Sequence, residues 1–127
     1  MIQGLHKVIV LVDDQERAKE FWTTRIGFAV VQDAGYGEGG RWLEVAPPDG
    51  GPLLVLSPRR PDEPRRDVDD QLPHSDLFFT CADIEQTYNT LTQRGVRFPA
   101  PPTKMPFGWW SMFEDQEGTR YVLGQWS

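Results

Sequence analysis

The chain has 127 residues, 39% hydrophobic and 25% charged, the profile of one globular domain or of two small modules sharing a core. A net charge of −6 argues against nucleic-acid binding, because Arg59, Arg60, Arg65 and Arg66 are interleaved with Asp62, Glu63, Asp67, Asp69 and Asp70 and form no basic patch. One cysteine, Cys81, excludes an intrachain disulfide, and the longest early apolar run, the five residues Val8 to Val12, is too short for a leader peptide or a membrane span; a cytoplasmic protein is expected.

Leu5 to Val12 reads as a strand, apolar on both faces. Asp13 with Glu16 three residues later forms a capping-box-like helix start. Ala18, Phe21, Trp22 and Ile26 then give a helical apolar stripe, and Gly27 suits the left-handed position that ends a helix. Phe28 to Asp33 resumes as a strand, and the run Gly35 to Gly40 is a turn. Arg41 to Ala46 and Pro52 to Leu56 are two further strands, joined by a turn at Pro47 to Gly51. The turn at Gly35 to Gly40 leads into a strand and not a helix, so it offers no phosphate-binding helix start.

Ser57 to Pro73, rich in proline and mixed charge, is the one linker-like stretch. The earlier order then repeats. Asp76 to Cys81 is a strand, Asp83 with Gln86 a cap, Ile84, Tyr88 and Leu91 a helical stripe, and Gly95 the stop. Val96 to Phe98 reads as a short strand and Pro99 to Gly108 as a proline-rich turn region. Trp109 to Glu114 and Thr119 to Gln125 close the chain as a hairpin around Asp115 to Gly118. Both halves therefore read β-α-β-β-β. The expected fold is α+β, one domain over 1–127, with module 1 at about 4–57, a linker at 58–74 and module 2 at about 75–127. A sheet with a helix on one face needs its other face covered. Two modules facing each other would do so as a half-open barrel with a crevice.

These features resemble the vicinal oxygen chelate superfamily of glyoxalases, extradiol dioxygenases and bleomycin-resistance-type drug-binding proteins. The marks are the passage from Asp13 to Phe21-Trp22, the helix exit Ile26-Gly27-Phe28, and the turn Phe113-Glu114-Asp115-Gln116-Glu117-Gly118 before the last strand. The step Phe107-Gly108-Trp109 is similar to the bleomycin-resistance-like branch.

In the enzymes, the resemblance implies a divalent metal held by a residue of each module's first strand and by a Glu in a last strand. Its open coordination positions polarise vicinal oxygens of the substrate. His6 stands seven residues before Asp13, and Asp76 seven before Asp83, with His74 two residues earlier. Where the carboxylate is expected, Val122 stands in the second module and Leu54 or Val55 in the first, and none of these can ligate. Glu44 or Gln125 would have to supply a third ligand. His6 and Asp76 are thus the metal candidates, and no metal cofactor is favoured. Cys81, on a strand without a nearby base, reads as a core residue.

Five tryptophans in 127 residues make an aromatic set worth placing. Phe21 and Trp22 belong to the helix stripe. Trp109 and Trp110, adjacent on a strand, must face opposite sides, so one of them faces the crevice. A crevice lined by Trp42, Glu44, Phe78, Trp109 or Trp110, and Met112 would take a small aromatic or cationic ligand. The leading expectation is a homodimeric small-molecule-binding protein, drug-sequestering in type and without a complete metal site. The alternatives are a metal-dependent lyase, isomerase or dioxygenase, and an interaction or regulatory subunit.

Overall fold

Alternation along the first strand decides the layout of the first half. In β1 (Lys7–Val12), Val10 and Val12 are buried while Ile9 is exposed, so the even positions turn to the helix and the odd ones away from it. The computed structural model describes residues 1–63 and 73–126, and the chain divides into two compact units, Met1–Glu63 and Pro64–Ser127. The interleaved charges at Arg65, Arg66, Asp67, Asp69 and Asp70 lie outside the described residues.

In the first unit, α1 (Gln15–Glu20) runs on through a π-helical turn at Phe21–Ile26. The N-cap is Asp14, whose carboxylate accepts the backbone N–H groups of Glu16 and Arg17 at 3.0 and 3.1 Å. The expected cap at Asp13 is displaced by one residue, because β1 extends through Val12 and Asp14 is the residue left with extended backbone before the helix. Asp13 instead receives Arg59 Nε at 3.0 Å. Gly27, at φ +98°, ends the segment, and its N–H and that of Phe28 both donate to the Trp22 carbonyl. Gln15 Nε2 ties the helix start to the carbonyls of Arg41 and Leu56 at 3.0 and 2.9 Å.

The strands β2 (Ala29–Gly35), β3 (Arg41–Ala46) and β4 (Leu53–Pro58) join β1 in the order β1-β4-β3-β2, with β1 parallel to β4 and the other pairs antiparallel. Leu43, Val45, Leu54 and Leu56 are buried together with Ala18, Phe21 and Trp22. Packing at close density around so large a side chain makes Trp22 the keystone of this core. The edge strand β2 is exposed along its length, and Asp33 fastens it by accepting both Arg41 and Lys19.

The second unit repeats the plan with β5 (Phe78–Thr80), α2 (Ile84–Gln93), β6 (Thr103–Met105), β7 (Gly108–Glu114) and β8 (Arg120–Trp126) in the order β5-β8-β7-β6. Asp83 caps α2 through Gln86 N at 3.1 Å, and Gln125 Oε1 accepts Ile84 N at 2.8 Å. Phe79, Phe113, Tyr121, Phe98 and Tyr88 form a chain of ring contacts spaced 4.9–6.2 Å apart. The expected strand at Val96–Phe98 is reduced to one bridge between Arg97 and Glu114. The pairing comes later, at Thr103–Met105, because Pro99, Pro101 and Pro102 carry no N–H to donate to a ladder. No helix among the described residues is long and apolar enough to cross a membrane.

The displaced cap gives a direct test. Asp14→Ala should lower unfolding stability in urea by about 1 kcal/mol, and Asp13→Ala by less, since the latter loses a partly exposed ion pair. The reverse order would place the cap at Asp13.

Candidate functional site

In the first unit the face turned away from α1 carries the odd positions of β1 and, through the strand register, Leu53, Val55, Trp42 and Glu44. Ile9, Val55 and Glu44 lie in one row across three strands. Glu44 is 2% exposed, so its charge must be paired within the protein. Its Oε2 accepts the Lys7 ammonium and, at 2.9 Å, the Trp42 indole N–H. The same ammonium lies 5.7 Å from the centroid of the Trp42 ring. The carboxylate is held below the ordinary glutamate range, first by the bond from Lys7 and next by that from Trp42, against burial, which pushes it up.

In the second unit the corresponding face carries Phe78, Val122, Met112, Gly124, Trp110 and Trp126, aligned by the register of β5, β8 and β7. Phe78 meets Trp110 edge-on at 5.8 Å and stacks on Trp126 at 6.3 Å; Phe107 approaches the two tryptophans at 6.3 and 6.1 Å. Phe78 is 58% exposed, and Phe107 and Trp126 are also exposed. Gly124 makes this arrangement possible: a Cβ there would come within 2.3 Å of the Trp126 indole, which lies across the strand. Trp109 points the other way, onto the helix-covered side, with the Lys104 ammonium 5.3 Å from its ring. Of the adjacent pair, Trp110 belongs to the open aromatic face.

The remaining candidates sit as follows. His6 is exposed ahead of β1, and its carbonyl accepts Leu53 N at 2.9 Å. Alternation along β1 places Lys7 on the face away from the helix, and His6 precedes the strand, near enough to act electrostatically on Glu44. With the cap at Asp14, the residue seven positions before it is Lys7. His74 exchanges two bonds with the Arg120 backbone, its N donating to the carbonyl at 3.0 Å and its Nδ1 accepting the N–H at 3.2 Å. Asp76 is exposed in the bend before β5. Gln125 is engaged by the α2 N-terminus. Cys81 donates to the Gly124 carbonyl, and burial pushes its thiol up, the opposite of an activated thiolate.

These donors do not fit a divalent metal. Val55 sits between Ile9 and Glu44, and Val122 between Phe78 and Met112, so the last-strand positions present hydrocarbon. The first-strand position of the first unit presents a protonated amine, which has no lone pair to give. Among the described residues no three His, Cys, Asp or Glu side chains gather as a ligand group. Lys7, Phe107, Gly124 and Trp126 escape sequence reasoning; the parity of β1, with Val10 and Val12 as its apolar side, was the one signal that could have found Lys7.

The tandem β-α-β-β-β units define a class, and comparison with known proteins gives its name. Residues 4–123 match the Glyoxalase/Bleomycin resistance protein/Dioxygenase superfamily, and the chain belongs to that family. It is similar to YetH of Bacillus subtilis (strain 168), an uncharacterized protein, at 35% identity over 97% of this chain and 98% of that one. Among solved structures it is similar to TnmS3, an antibiotic binding protein from Streptomyces sp. CB03234, with a TM-score of 0.82, 33% identity, and 99% and 98% of the two chains covered. A glyoxalase/bleomycin resistance protein from the same organism aligns with a TM-score of 0.76 at 32% identity, covering 96% of this chain and all of that one.

The electrostatics of Glu44 give a pH dependence. Its folded pKa lies below its unfolded one, so it contributes stability at neutral pH that is lost as pH falls through the folded value. Between about pH 5 and about pH 3 the wild-type protein should lose stability in urea more steeply than Glu44→Gln. Equal slopes would contradict the pairing.

Proposed function

We propose that this protein binds small molecules and that its ligand is a flat aromatic compound, antibiotic-like in class. The observation that carries this reading is the aromatic face of Phe78, Phe107, Trp110 and Trp126, in which each phenylalanine meets both tryptophans and all but the half-buried Trp110 are exposed. Exposed aromatic surface of this kind is costly in water and is repaid when a second flat group covers it. Met112 adds a polarizable, adaptable neighbour in the same row as Phe78. The similarity to TnmS3, an antibiotic binding protein, supports the ligand class.

Such a role needs no bond-breaking machinery. The reading is of sequestration, by a homodimer in the cytoplasm; the exposed Val30 and Val31 of the edge strand β2 support the first part, and a single, free cysteine, Cys81, is in keeping with the second.

Tryptophan fluorescence tests it, titrated with a panel of polycyclic aromatic and glycopeptide antibiotics. A member of the panel should quench emission with saturation. Trp110→Ala should weaken its binding about tenfold or more, roughly 1.4 kcal/mol, whereas Trp109→Ala should leave the affinity within about threefold. No saturable response up to high micromolar concentrations, or equal losses from both substitutions, would contradict the proposal.

A further inference from the structure

We infer that Lys7 is an anion-recognition residue, a fixed ammonium on the open face of the first unit that takes an oxyanion — carboxylate, phenolate or sulfonate — carried on an apolar body. This assignment does not depend on the aromatic face of the second unit. It begins from the asymmetry of the ion pair: the Lys7 side chain is 33% exposed and that of Glu44 is 3% exposed. A ligand approaching the open face meets the ammonium first, with the carboxylate behind it. Lysine ammonium groups are normally mobile and heavily hydrated, and ordering one at a binding site costs side-chain entropy. Here that ordering is complete before any ligand arrives, because Glu44 holds one donor and the Trp42 ring flanks the charge.

The surroundings point the same way. The strand between Lys7 and Glu44 contributes Leu53 and Val55 to this face, and Ile9 beside them is 65% exposed. A polar trio set in an apolar row is not the arrangement that stability alone would favour, since a buried ion pair is often matched or bettered by hydrocarbon of the same volume. An amine with donors to spare beside the exposed Ile9 and the half-buried Leu53 is instead suited to an amphiphilic anion.

The test uses two fluorescent probes of one shape, anilinonaphthalene sulfonate and the neutral N-phenylnaphthylamine, with the full-length protein. The wild type should bind the sulfonate about tenfold more tightly than the neutral probe, the difference a charge-assisted hydrogen bond makes. Lys7→Arg should keep that preference. Lys7→Met should abolish it while leaving the neutral probe's affinity unchanged. Should Lys7→Met fail to fold with Glu44 left unpaired, the double variant Lys7→Met, Glu44→Gln removes both charges and should show the same loss. Trp109→Ala, on the other side of the second unit's sheet, should keep the preference. No sulfonate preference in the wild type, or a preference that survives in the Lys7→Met or double variant, would overturn the assignment.

Discussion

A carboxylate 2% exposed in the middle of a sheet is the constraint around which the first unit is arranged. Burying Glu44 without partners would cost several kcal/mol, so the neighbouring strands must deliver donors to it. β1 does so with Lys7 and β3 with Trp42, two residues before Glu44 on the same face. For Lys7 to reach, β1 must present its odd positions away from α1. The same parity buries Val10 and Val12 beneath the helix and makes Asp14 the cap. One polar requirement and one apolar requirement therefore select the same strand register, a consistency expected of sequences that specify one structure.

The second unit uses the same β-α-β-β-β plan for a different end. At the equivalent face it places aromatic rings instead of a polar trio, with Gly124 clearing the space in which Trp126 lies. The two faces share an absence of last-strand ligands, with Val55 in one and Val122 in the other. On the scaffold of this superfamily the chain carries an ammonium and an aromatic surface, both suited to holding a molecule.

The repeat, the two helix stops at Gly27 and Gly95 and most of the strands were legible in the sequence, because each rests on a local rule of apolar period or glycine conformation. What was not legible turned on a choice of one residue. Asp13 and Asp14 are equally good caps by type, and only the reach of β1 decides between them. Shifting the cap by one residue moves the seven-residue spacing from His6 to Lys7. Strand alternation separated Trp109 from Trp110, but which of them faced outward depended on the pairing of β7 with β8. β6 was hidden by the prolines before it, and the platform around Trp126 by its dependence on an absent side chain at Gly124.

The central claim is that a flat ligand lies on the aromatic face of the second unit, and the indole N–H signals of the five tryptophans report on it directly. In a ¹H–¹⁵N spectrum, adding the antibiotic that quenches fluorescence should shift the Trp110 and Trp126 signals most. The buried Trp22 signal should hold its position. Shifts confined to Trp22 or Trp109, or no indole shift at saturating ligand, would contradict the account.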